Sequence, residues 1–172
     1  MRIFLVEFVK KLEPRKFLHT SEEMVQDQYE EVFEVIFVMK GAVAIGYRLF
    51  DEIFYGKKFI VKNDKKRANK KRLGVVNDYS CLENKCSEFL YLPIDNVEGL
   101  AMRKNNFQQL MLDPQAKKMK AAISENYKIN IQDPLHEHRY EMATKFKNRI
   151  DYVDIKAYGL GQVQSDHDAK MK

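Results

Sequence analysis

At 172 residues, 45% of them hydrophobic and 32% charged, the chain has enough apolar surface to offset the entropy of folding, in an amount that suits one core rather than two. The net charge is +5 and cationic residues crowd between Lys57 and Arg72, but no aromatic stacking platform or recognition helix accompanies them, which argues against a nucleic-acid partner. No apolar run approaches the roughly 18 residues of a membrane span; Met1 to Lys10 alternates charged with apolar residues where a signal peptide has an unbroken apolar stretch; and two cysteines, Cys81 and Cys86, are too few for a disulfide framework.

A soluble chain with reduced thiols is expected. Ile3, Phe4, Phe8 and Leu12 recur at helical spacing, which predicts an amphipathic helix over 1–13 that reads as the end of something longer. Pro14 removes a donor and restricts its predecessor, and β-favouring residues begin at Lys16-Phe17-Leu18. Val32 to Phe50 is two β-rich runs joined at Met39-Lys40-Gly41-Ala42, where Gly41 can take the positive φ of a tight hairpin turn. Further short strands are predicted at Lys58 to Lys62, Leu73 to Val76, Glu88 to Leu92 and Gly99 to Met102, separated by Gly56, the basic run and Pro93-Ile94-Asp95-Asn96. The basic run reads as a solvated, mobile hairpin loop, with Lys65, Lys66, Arg67, Lys70 and Lys71 available to anionic lipid headgroups.

From Asn105 the period becomes helical. Phe107, Leu110 and Met111 share one face, and Asp113-Pro114 caps and restarts a helix carrying Met119, Ala122, Ile123 and Tyr127. Asp133-Pro134 repeats that device before a last helix with Tyr140, Met142 or Ala143, Phe146 and Ile150 on one stripe. The expected architecture is α+β: an N-terminal helix, an antiparallel β-roll over 15–103, C-terminal helices over 104–152, and a flexible tail over 156–172 after a domain of 1–155.

Three segments carry a family resemblance. Leu12-Glu13-Pro14-Arg15-Lys16-Phe17 looks like an L-x-P-x-x-F opening of a roll, and Glu34 to Val43 looks like an apolar hairpin turned by its glycine. Leu100-Ala101-Met102-Arg103-Lys104-Asn105-Asn106-Phe107-Gln108-Gln109-Leu110 is similar to a closing strand and the helix after it. In this order and spacing they resemble the cyclic-nucleotide-binding domain family from about Phe8 to Ile150. Within it, Ala44-Ile45-Gly46-Tyr47, Asn77 to Cys81, Asn84 to Tyr91 and Val97-Glu98-Gly99 look most like cytoplasmic C-terminal domains of ciliate-type voltage- or nucleotide-gated cation channels. That resemblance implies a domain at the cytoplasmic face of a membrane. Its partners would be the remainder of a channel polypeptide or other subunits, with a homo-oligomer in the full-length protein.

Relatives that bind cyclic nucleotides cradle the phosphate with backbone N–H groups at a helix N-terminus and one guanidinium, while a carboxylate accepts from the ribose. By the resemblance, the glycine of that cassette falls on Ser80, its acid on Cys81 and its arginine on Ser87, beside the acidic Glu88, and the segment is short for its small helix. Losing the arginine removes a contact worth roughly 1.5–3 kcal/mol, and an added carboxylate repels an anion. No tight binding of cAMP or cGMP, and no cofactor, is expected, although Lys85 leaves a point charge for weak binding. The candidate pocket is then Val43 and Ile45 from the roll with Tyr79, Ser80, Cys81, Leu82, Ser87, Glu88 and Phe89 from the cassette. Ile150 to Ile155 alternates apolar with acidic residues like a short strand and offers Tyr152 or Ile155 as a plug for the empty pocket.

No catalytic constellation is legible. G-x-S-x-G, P-loop and paired-carboxylate patterns are missing, and His136 and His138 point to different helix faces, with His19 too little to complete a metal site. The leading expectation is a regulatory domain. The alternatives are a protein-interaction module with a self-filled pocket and a genuine cAMP- or cGMP-binding regulatory subunit.

Overall fold

The computed structural model describes residues 2–20, 23–61 and 74–147. The chain divides into two compact units, Met1–Leu135 and His136–Lys172. In the first, helix α1 (Arg2–Lys10) leads into β1 (Glu13–Phe17), earlier than the predicted start because Pro14 is itself a strand residue. It sits opposite Leu100 on an edge strand, where a missing donor is tolerated.

Strand β2 (Glu34–Leu49) organises the roll, and it corrects the predicted hairpin. Gly41 does take a positive φ of 105°, but there the strand bends without reversing and continues as a single 16-residue element. Before the bend, β2 pairs with β6 (Val97–Arg103) and β4 (Gly74–Val76); after it, with β3 (Glu52–Val61) and β5 (Leu90–Pro93). The glycine is required because a Cβ there would sit 2.4 Å from the Asn96 carbonyl. The tight hairpin lies further on, at Phe50-Asp51, where both residues have positive φ (52° and 62°) between the paired Leu49 and Glu52. That is the type I′ geometry whose twist suits antiparallel strands. Gly56 does not interrupt β3. It is the extra residue of a bulge, since Ile45 pairs with Lys57 and Gly46 with Tyr55.

Side chains of β2 alternate between two cores, which is why its apolar run is unbroken. Ile36 and Val38 face the roll interior with Val43, Ile45, Tyr47, Phe89 and Tyr91. Val35 and Phe37 face a second cluster with Cys81, Met102, Phe107, Leu110 and Met111, where Phe8 meets Phe37 edge-on at 5.4 Å.

Helix α2 (Asp78–Glu83) follows β4, and helix α3 (Lys104–Met111) follows β6. The Asp113 side chain accepts from Gln115 N at 2.7 Å, and Pro114 opens a 3-10 turn (Pro114–Ala116) into α4 (Lys117–Tyr127), as predicted. Asp133-Pro134 does not repeat the device. A π-helical turn (Lys128–Gln132) carries the backbone on into helical residues 133–135 at the end of the first unit; in the second, residues 136–147 are helical. Pro134 has no N–H for the Asn130 carbonyl four residues back, and Lys57 Nζ donates to that carbonyl. In the second unit, Met142, Ala143 and Phe146 are half-buried as the stripe predicts, whereas Tyr140 is exposed. Lys65, Lys66, Arg67, Lys70, Lys71, Ile150, Tyr152, Ile155 and the 156–172 tail lie outside the described residues.

Candidate functional site

The site is the segment between β4 and β5, with the roll wall behind it. Asn77 leaves β4 in a left-handed conformation (φ 69°) and is buried, its amide donating to Gln26 Oε1 at 3.0 Å. Asp78 opens α2 with its Oδ1 accepting from Tyr79 N at 2.8 Å, and Asn84, also left-handed, closes it. The left-handed residue ahead of the helix is Asn77 and the acid at its start is Asp78, whereas Ser80 and Cys81, to which the resemblance assigns a glycine and an acid, lie inside the helix. The segment is not too short for its helix, which has six residues. Asn77 ahead of α2, Asp78 at its start and Asn84 behind it were the signal available in the sequence, since Asn tolerates the left-handed region and Asp favours helix starts.

Burial pushes the Asp78 carboxyl up to about 6, against the pull of its backbone N–H bonds. Cys81 and Leu82 turn away from the roll interior and join the second core with Phe107, so the predicted pocket loses both. Burial pushes the Cys81 thiol up to about 12, with Lys104 opposing, and Cys86 is exposed and free. Ser80 is buried, and its carbonyl accepts from Lys85 N at 2.9 Å.

Ser87, Glu88 and Phe89 close the segment. Backbone bonds hold Ser87 on both sides, its N–H to the Glu30 carbonyl (3.0 Å) and its carbonyl to Tyr29 N (2.6 Å), while its hydroxyl donates to the Phe89 carbonyl (2.7 Å). Phe89, Val43 and Ile45 lie in the roll core as expected, with Tyr79 packed against them.

A feature missed in the sequence fills the interior. Tyr127, Ile131 and Leu135, from the end of α4 and the turn after it, belong to the same core as Val43, Ile45 and Phe89. The Tyr127 ring stacks on Tyr79 at 4.1 Å and 8°. Its hydroxyl donates to Glu88 Oε2 at 3.0 Å, and Gln132 Nε2 donates to the same oxygen at 3.1 Å. Burial first, then Tyr91 and the Glu88 carboxylate, push the Tyr127 phenol above the usual tyrosine range, so it acts as a donor. Helical spacing in α4 placed Tyr127 on an apolar stripe; the π turn, which rotates Ile131 and Leu135 onto the same side, has no sequence template.

Beside this packing a cleft of about 380 Å³ opens between Ile45, Phe59, Val61, Val75 and the Asn130-Ile131 turn. A larger cleft of about 680 Å³ lies along Arg15, Glu34, Arg103 and Lys104. Its cations are paired: Arg15 with Glu34 at 2.8 Å, Arg103 with Glu13 at 3.3 Å, Lys104 with Glu31 at 3.8 Å. Of the histidines, the His19 backbone N–H donates to Asn96 Oδ1, and no cluster of metal-ligating side chains occurs among the described residues.

The fold, though not the site, can be compared with solved structures. A mutant regulatory subunit of a cAMP-independent protein kinase A from Trypanosoma brucei, bound to cAMP in its A site, aligns with a TM-score of 0.56 at 12% identity, over 83% of this chain and 45% of that one. The fold is the cyclic-nucleotide-binding β-roll. The sensor domain of the transcriptional regulator DNR from Pseudomonas aeruginosa shares it (TM-score 0.55, 11% identity, 77% of this chain, 83% of that one). So does the c-di-GMP-responsive global regulator CLP from Xanthomonas campestris (0.54, 12%, 83% and 63%). The chain spans about half the length of the kinase subunit and under two thirds of CLP. No family model and no curated protein matches the chain.

Proposed function

We propose that the chain is a non-catalytic regulatory domain of a larger protein, built on the cyclic-nucleotide-binding roll but without tight affinity for cAMP or cGMP. One observation carries this reading. At the position that the resemblance assigns to the phosphate's cation stands Ser87, buried with its hydroxyl given to Phe89 O, and beside it Glu88, a carboxylate. The nearest cation of the cassette, Lys85, lies 5.8 Å above the Tyr79 ring, and Lys57 is turned to Asn130. Asp78 at the start of α2 keeps the carboxylate that a ribose hydroxyl needs, so the loss is specific to the phosphate side. Regulatory subunits of a kinase that is cAMP-independent by name share this fold, one of them as a mutant bound to cAMP, and that name is what they lend to the reading. A non-enzymatic role suits Cys81, a buried thiol pushed up to about 12 and thereby a poor nucleophile.

The parent we propose is a cation channel, with this domain on the cytoplasmic face biasing gating through its C-terminal helices and the basic residues Lys65 to Lys71 near anionic lipid. The support is the segment resemblance. No described helix is long and apolar enough to cross a membrane, so the parent must supply the spans elsewhere. A full-length protein without membrane spans would overturn the channel assignment. The packing of Tyr127, Ile131 and Leu135 into the roll favours a second reading, an interaction module with a self-filled pocket. Calorimetric titration tests the main claim: neither cAMP nor cGMP should give a saturable isotherm at micromolar concentration, and a low-micromolar isotherm would overturn it.

A further inference from the structure

We propose that Tyr127 is the intrinsic occupant of the pocket and Glu88 its latch, so that the carboxylate beside the missing arginine holds the C-terminal helical turn docked on the roll with no ligand bound. The latch rests on the reading above that residues 78–89 are the remnant of a nucleotide cassette.

Three contacts converge on a short stretch of chain. Tyr127 lies flat on Tyr79 at 4.1 Å, as a planar ligand would. Its hydroxyl and the Gln132 amide both donate to Glu88 Oε2, at 3.0 and 3.1 Å. Between those two donors lies the π turn, and in its middle the Asn130 carbonyl accepts from Lys57. The π geometry matters here. Tyr127 and Gln132 are five residues apart, and a π turn, with about one more residue per turn than an α-helix, brings such a pair to the same side. Tyr127, Ile131 and Leu135 then enter the roll core together.

Glu88 reverses the polarity of the site. A cation in its place would attract a phosphate and leave the Tyr127 hydroxyl without an acceptor; the carboxylate takes the hydroxyl and repels the phosphate. A cyclic phosphate brings only acceptors and cannot compete for Glu88. Undocking therefore requires something that offers donors to Glu88 or pulls on the helix from outside, which makes the docked turn a two-state element set to closed.

Hydrogen exchange on the whole chain, for the parent sequence and for Glu88→Gln and Tyr127→Phe, tests the latch. Glu88→Gln keeps the size and removes the charge; Tyr127→Phe keeps the stacked ring and removes the donor. Bonds to a charged acceptor are strong enough that each change should speed exchange of amides between Lys128 and Leu135 by about tenfold or more. Amides of β2 should keep their parent rates. The double variant should exchange little faster than Glu88→Gln alone, because that change already weakens the bond that Tyr127→Phe removes, together with the one from Gln132. If Glu88→Gln fails to fold, Tyr127→Phe carries the test alone. Unchanged exchange at 128–135 in a folded variant, or an increase shared equally by β2, would overturn the latch. Tight cAMP binding by the parent chain would instead overturn the functional reading and leave the exchange result standing.

Discussion

Replacing Leu135 with alanine asks whether the C-terminal turn is part of the roll core. Leu135 has no exposed side-chain area and shares its cluster with Ile45, Phe89 and Tyr127. Those neighbours are held by a strand, by the cassette and by a ring stack, so they cannot close fully over the missing atoms. Buried Leu→Ala changes cost about 2–5 kcal/mol, the upper half applying where surroundings are fixed. With a urea m-value of about 2 kcal/mol per M, a loss of about 4 kcal/mol lowers the midpoint by about 2 M. Ile129, in the π turn just before that helix and 57% exposed, is the internal control, and Ile129→Ala should stay within about 0.5 kcal/mol. Urea denaturation followed by far-ultraviolet circular dichroism compares the two. Should the alanine variant fail to fold, Leu135→Val, at about 1 kcal/mol, gives the same ordering on a smaller scale. Equal midpoints for the Leu135 and Ile129 variants would refute the packing on which the self-filled pocket depends.

Asp78 gives a pH signature. Its folded-state carboxyl is raised to about 6, so folding binds a proton between about 4 and 6, and stability falls as pH rises through that window. Asp78→Asn, which keeps the acceptor for Tyr79 N, should stabilise the chain by on the order of 2 kcal/mol at pH 7 and by almost nothing at pH 4, as chemical denaturation at the two pH values will show. Gly41→Ala places a methyl 2.4 Å from Asn96 O at a φ of 105° and should cost at least about 2 kcal/mol in the same assay. Glu88→Arg exchanges repulsion for a fork donor and should raise cAMP affinity at least about tenfold over the parent in calorimetry; no gain would mean that the cassette is misplaced. Removing the charges of Lys65, Lys66, Arg67, Lys70 and Lys71 should abolish co-sedimentation with anionic liposomes at low salt, and retention of binding would reject the membrane contact.

The roll was legible because its signals are local. Apolar runs, Gly41, the Asp113-Pro114 cap and the stripe Phe107, Leu110, Met111 each act through nearest neighbours, and all are present. What misled was topology. A positive-φ glycine between two β-rich runs suits a hairpin and a sheet-to-sheet bend equally, and only the close approach of Asn96 decides between them. Phe50-Asp51 hid the real hairpin because Phe rarely takes positive φ. Between β4 and β5 the sequence signal was weaker: the left-handed residue ahead of α2 is Asn77, held by Gln26 from a distant loop, and Ser80 and Cys81 fall inside the helix. Tyr127 reaching Glu88 depends on a π turn beside Pro134, a long-range fit that no periodicity encodes.

The central claim is that this pocket is closed from within and does not need a cyclic nucleotide. Hydrogen exchange of the whole chain with and without millimolar cAMP or cGMP tests it most directly. Unchanged protection at 77–91 and 127–135 is predicted; slower exchange confined to those two segments on adding nucleotide would contradict it.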